Sequence, residues 1–243
     1  MTDRVSVLLP TRGRYKALGE SLISLAETTD AKKLIDLIIV ADNDPRAAGL
    51  VNNFFALNGY KFHNVMLIES RERLYSVKAF NWAFDHIHTE YFCWVTNTLK
   101  YESDWLINAL HLFRTTFLED VGVLSLGKKN KANYGISSKA FVHYNRGEWF
   151  SLKYKMNFCD DELAARAILL GRYKHLPNSG LISNSERVNA DLLYKDQKEK
   201  TAFKKIDRGL FYKRSENNFG LPEGRIYPWE GFRDVNFMLK EEM

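Results

Sequence analysis

The chain reads as an α/β protein: one α/β/α sandwich with a mostly parallel central sheet and a helical or irregular C-terminal extension. Three observations point there. Across residues 1–126, apolar runs of strand length alternate with segments of helical period, the β-α-β-α order of crossover units. Two of the runs, VSVLL and LIDLIIV, read as buried strands. Polar residues cluster just past the strand ends, where open α/β sheets place their ligands.

Val5–Leu9 is the first strand, stopped by Pro10. Thr11-Arg12-Gly13-Arg14 follows, and Gly13 permits a tight turn. Leu18, Leu22 and Leu25 recur at helical spacing, so a helix runs from Lys16 to Thr28. Leu34–Val40 is the second strand and ends in Ala41-Asp42-Asn43-Asp44-Pro45. Gly49–Leu57 is a helix, Val65–Ile68 a strand, Glu69–Arg73 a polar loop and Ser76–His86 a helix. Tyr91–Val95 is the fourth strand and leads into Thr96-Asn97-Thr98. Trp105–Phe117 is an amphipathic helix and Val121–Leu126 the fifth strand.

Beyond it, Lys128–Lys131 is a basic loop, Tyr134–Tyr144 fits neither period, and Glu148–Phe158 is rich in aromatics. Asp160–Leu170 is a helix with an acidic first turn and a glycine stop at Gly171. Arg172–Leu176 is a short strand before Pro177. Ala190–Asp207 reads as one or two helices, and Gly220–Phe237 as an irregular tail that wraps back over the domain.

Composition narrows the class. At 243 residues, 45% hydrophobic and 27% charged, the chain suits one large domain, or one domain with an extension, and excludes a disordered protein. Its apolar runs are too short to span a bilayer, and no signal-peptide pattern opens it. Cys93 and Cys159 lie far apart in apolar surroundings, which reads as reduced thiols and a cytoplasmic protein, in the host cytoplasm if viral. The net charge of +5 tolerates polyanionic partners, and basic residues crowd Lys195–Lys213. Such a run is most often a solvated helix face.

VSVLLPTRGR, DLIIVADNDP, the helix carrying Asn81, WVTNTLKYESDWL and FCDDELAARAILLG together resemble, in order and spacing, a family 2-like glycosyltransferase of the GT-A fold over residues 3–180. The resemblance implies a GT-A-like domain at 1–184, with a nucleotide-binding half at 1–126 and an acceptor half at 127–184. A basic extension at 185–243 packs on the same domain. It implies that Pro10, Thr11 and Arg12 hold the nucleotide and that Asp42 bonds the base or ribose. Arg71, Arg73 and Lys78 approach the phosphates, and Asn97 and Thr98 occupy the family's metal-loop positions. Asp160 falls on the catalytic base and Asp161 on a variable position beside it, although both could simply cap a helix. The implied donor is a nucleotide sugar, taken as a UDP-sugar. The implied acceptor is a hydroxyl on a glycan, a lipid-linked sugar, or a hydroxylated DNA base as in phage-type nucleic-acid-modifying relatives.

Inverting sugar transfer needs a carboxylate to take the acceptor proton and positive charge to stabilise the leaving diphosphate. In most relatives a divalent cation on an Asp-x-Asp loop supplies that charge. Here the loop reads Thr96-Asn97-Thr98, and the downstream segment LPNSGLISNSER lacks the family's His. The expectation is therefore no metal ligand and weakened or absent metal dependence, with Arg and Lys replacing the ion. The rival reading is an inactive GT-A module that binds nucleotide or glycan. Oligomeric state is not readable from the sequence.

Overall fold

The computed structural model describes residues 4–28, 30, 34–183 and 194–225. Its main sheet contains β1 (Val5–Thr11), β2 (Ile35–Asp42), β3 (Asn64–Ser70), β4 (Tyr91–Trp94), β6 (Val123–Ser125), β7 (Gly135–Ser138) and β8 (Tyr173–His175). Their spatial order is β3-β2-β1-β4-β7-β6-β8. The ladders β1–β2, β2–β3, β1–β4 and β6–β8 are parallel, whereas β7 runs antiparallel to both of its neighbours. The mostly parallel α/β sandwich expected from the sequence is thus the architecture observed.

Burial explains the strand sequences. β2 is buried along its whole length and β1 at all but Pro10, so both carry continuous apolar runs rather than alternating ones. Val5, Val7 and Leu9 face one side of the sheet. There they pack with α1 (Tyr15–Ala26), α2 (Pro45–Asn58) and α4 (Trp105–Thr116) through Leu18, Leu22, Val51, Leu106 and Phe113. Leu8, Ile38 and Val40 face the other side. That layer holds α3 (Tyr75–Phe84), α5 (Lys139–Tyr144), α6 (Cys159–Leu169) and the aromatics Trp149 and Phe150.

Three features lay outside the sequence pattern. Tyr134–Tyr144 divides into β7 and the short helix α5, and β7 is the reversed strand. Gly135 is required there, because a Cβ would stand 2.7 Å from the Leu124 carbonyl oxygen and 2.8 Å from the Trp94 ring. β5 (Leu99–Tyr101) and β9 (Leu181–Ser183) form a separate antiparallel ribbon. Each is three residues long. Runs that short carry no period, and their partner lies some eighty residues away.

The helix expected at Ala190–Asp207 is α7 (Tyr194–Ser215), which continues eight residues further. Residues 184–193, including the expected helix start, and 226–243, most of the expected tail, lie outside the described residues. Buried contacts hold α7. Phe211 packs between Phe158 and Phe219, at ring separations of 5.5 and 5.2 Å. Arg214 forks onto Glu162 of α6, with Nε–Oε2 and Nη2–Oε1 both 2.6 Å. Glu162 is wholly buried and also accepts from Tyr154 (2.7 Å), while Arg166 lies 3.4 Å away.

Arg214→Ala leaves that buried carboxylate short of its best partner, and should lower the unfolding free energy by roughly 3 kcal/mol. Urea denaturation measures it; a loss within experimental scatter would mean that the fork contributes nothing to stability.

Candidate active site

The sheet changes direction of growth at β1. β2 and β3 extend from one side of it, and β4 begins the other side. A crevice opens at the carboxyl ends of strands where such a switch occurs. Here those ends are Thr11 of β1 and the tip Thr96–Thr98 after β4. Asn97 spans the crevice: its Nδ2 donates to Thr11 Oγ1 (2.9 Å) and its Oδ1 accepts from Arg14 Nη1 (3.4 Å). A cleft of about 210 Å³ lies over it, lined by Pro10, Thr11, Arg12, Arg14, Asp42, Arg73, Ser76, Ala79, Asn97, Met156, Asn157 and Lys200.

Gly13 and Arg14 adopt left-handed backbone (φ 59° and 53°), which turns the chain out of β1 into α1. The Gly13 N–H donates to Asp44 (2.7 Å), which also caps α2 by accepting from Ala47 N (3.1 Å). Tyr15 donates to the same carboxylate at 3.2 Å, and burial together with that charge raises the phenol's pKa. Arg12 donates to the carbonyls of Asp42 (3.0 Å) and Asn43 (2.5 Å).

Asp42 is tied into the protein at the cleft's edge. Its side chain is buried and accepts from the Arg73 guanidinium, from Leu74 N (2.6 Å) and from Tyr75 N (3.1 Å). Both oxygens are engaged within the protein. Asp42 thereby stabilises the entry to α3, where Tyr75 has a φ of 62°, while still lining the cleft.

The far wall is the segment 155–157. Asp207 of α7, buried, accepts from the N–H groups of Lys155 (3.1 Å), Met156 (3.0 Å) and Asn157 (2.9 Å). Ser76 donates to the Met156 carbonyl from α3 (2.8 Å). Three residues further on, α6 begins after Phe158 in left-handed backbone (φ 64°). Asp160 and Asp161 occupy its first turn, half-buried, and Asp161 pairs with Lys131 at 3.6 Å. Burial and the two aspartates hold the Cys159 thiol protonated.

Of the expected residues, the cleft gathers Pro10, Thr11, Arg12, Asp42, Arg73 and Asn97. Arg71 instead lines a neighbouring depression of about 490 Å³ with Asn43, Asp44 and Pro45. Lys78 is exposed, because Val77, Ala79 and Ala83 take the buried positions of α3. Thr98 is buried and its hydroxyl bonds that of Thr96 (3.1 Å). Asp160 and Asp161 follow the 155–157 wall in the chain and are not among the residues lining the cleft. Arg14, Ser76, Ala79, Met156, Asn157 and Lys200 complete the lining and were not proposed as site residues from the sequence. Lys200 belongs to the basic run Lys195–Lys213, and nothing local distinguishes it from its neighbours.

The tip does not fit a divalent cation. Its donors are neutral, and Asn97 is engaged at both ends of its amide. Among the described residues no group of three or more His, Cys, Asp or Glu is placed to hold a metal ion. Among them, too, no helix is long and apolar enough to cross a membrane.

Comparison with known proteins accords with this geometry. The model of glycosyl transferase family 2 matches residues 6–169. No curated protein matches the chain by sequence. Among solved structures, the mannosyltransferase PcManGT from Pyrobaculum calidifontis, in complex with GDP-Man and Mn²⁺, is 17% identical with a TM-score of 0.62, over 74% of this chain and 56% of its own. S. aureus TarS 1–349 in complex with UDP is 18% identical with a TM-score of 0.58, over 73% and 59%. The same protein in complex with UDP-GlcNAc superposes equally, over 73% and 57%. The chain thus spans a little over half the length of these proteins, and at such identities the likeness concerns the fold. With the family match running from the first strand to the end of α6, the chain belongs to glycosyl transferase family 2.

Proposed function

We propose that this chain is a glycosyltransferase that moves a sugar from a nucleotide-sugar donor to a hydroxyl acceptor, with inversion and without a protein-held metal. The observation that carries the reading is the cleft at the β1/β4 switch point, walled by Arg12, Arg14, Arg73 and Lys200 in a family 2 chain. Solved proteins of like fold hold GDP-Man, UDP and UDP-GlcNAc, which supports a nucleoside diphosphate sugar here, and we take it as a UDP-sugar. Residues 1–126 form the donor half and 127–184 the acceptor half, and the described part of the extension, 194–225, belongs to the same unit. The acceptor is a glycan, a lipid-linked sugar or a hydroxylated DNA base. The buried, reduced Cys93 and Cys159 suit the cytoplasm.

In this reading Asp160 accepts the proton of the acceptor hydroxyl as that oxygen attacks the anomeric carbon. The bond from that carbon to the diphosphate oxygen breaks, and the nucleoside diphosphate leaves with the electron pair. Protein cations stabilise it. Asp161, engaged with Lys131, supports the helix start beside the base. Asp160 is outside the cleft lining, so this assignment has the acceptor approaching at the start of α6.

The carboxylate-free tip also favours a second reading, a silent module that binds nucleotide without turnover. Release of nucleoside diphosphate from a panel of UDP- and GDP-sugars separates the two, with tight nucleotide binding and no turnover of any donor supporting the silent module.

Turnover should persist in EDTA. Complete loss in EDTA, restored by Mn²⁺, would overturn the metal-free assignment.

Asp160→Asn should lower kcat by about 10²- to 10⁴-fold, as loss of a general base does, with little change in donor KM. Unchanged kcat would remove Asp160 from the mechanism.

A further inference from the structure

We propose that Lys200, delivered by the C-terminal helix α7, binds the donor's diphosphate opposite Arg14 and takes the charge role of the cation that the tip cannot hold. This rests on the donor reading above and names the group that makes it work.

Lys200 lines the cleft together with Arg14 and Asn97. It makes no hydrogen bond or ion pair among the described residues. Its side chain is open to solvent, yet the amine stands against the cleft wall near two other cations. That crowding by the protein, with repulsion from Arg14 and Lys204, lowers its pKa below the ordinary lysine value. Like charges held close together raise the energy of the empty site. A dianionic diphosphate between them relieves both the repulsion and the desolvation, so binding energy is greatest for the group that carries that charge.

The placement of Lys200 is enforced from both directions along α7. Immediately before it, Glu199 reaches Arg73 at 3.8 Å. Three residues after it, Phe203 packs edge-on against Tyr75 at 5.0 Å. Further along, Asp207 takes three backbone N–H groups of the cleft's far wall. These contacts set α7 against the cleft mouth. A merely solvated helix face would need none of them.

The test is calorimetric titration of the full-length protein with UDP and with GDP, in EDTA and again in Mn²⁺. Wild type, Lys200→Ala, Lys200→Arg and the exposed Lys205→Ala are compared, each checked for an unchanged melting temperature. The expected result is binding in EDTA that Lys200→Ala weakens about 10- to 100-fold, the value of one charge-assisted contact. Lys200→Arg should retain most of the affinity, and Lys205→Ala should bind as wild type does. Equal binding by wild type and Lys200→Ala overturns the proposal. Binding that requires Mn²⁺ overturns it too, while leaving the glycosyltransferase reading intact. No binding of either nucleotide under any condition overturns both.

Discussion

The carboxylate of Asp42 ties the carboxyl end of the sheet to the helices that wall the cleft. It receives a guanidinium and two backbone N–H groups, while its own carbonyl receives Arg12. Burying a charge is unfavourable unless it is both paired and hydrogen-bonded, and Asp42 is both. Through Arg73 the same carboxylate is linked to Glu199 of α7. One residue thus joins the end of β2, the turn after β1, the start of α3 and, through Arg73, the C-terminal helix. The shape of the cleft follows from that junction, and so does the distance between its cations.

The backbone around the site is held where side chains rarely let it go. Arg14, Tyr75, Asp104 and Phe158 have φ between 53° and 64°, and each stands at the start of a helix. For residues other than glycine this conformation costs roughly 1–2 kcal/mol apiece. It persists where tertiary bonds leave no alternative. Asp42 holds Tyr75, the Gly13–Asp44 bond holds the turn carrying Arg14, and Asp207 holds the segment leading to Phe158. These helices begin abruptly at the strand ends, so polar side chains are presented there without long intervening loops.

α7 is part of the site's construction. Its first half supplies Glu199, Lys200 and Phe203 to the cleft mouth. Its second half is anchored by Asp207, Phe211 and the fork from Arg214 to Glu162. Glu162 also lies two residues beyond Asp160 on α6. The position of the proposed base and that of the proposed phosphate ligand are therefore set by one helix–helix contact. A chain ending at 184 would lose both.

Much of the fold was legible in the residues, because strand and helix periods are local properties. The apolar runs at Val5–Leu9 and Leu34–Val40, the leucines of α1 and the polar tips after each strand all stand where the pattern put them. So does the lack of a carboxylate at Thr96-Asn97-Thr98, a fact of sequence alone. β7, the β5–β9 ribbon and the cation set of the cleft were not legible, because each depends on partners remote in the chain. Arg71 and Lys78 sit near the site in sequence, yet one lines a neighbouring depression and the other an exposed helix face. Lys200 sits more than a hundred residues from the tip in sequence, and only the packing of α7 on α3 and α6 brings it to the cleft. Sequence determined the strands and helices with a clear period and that the tip is neutral. Tertiary structure decided which charges meet there, since a helix's facing is set by what it packs against.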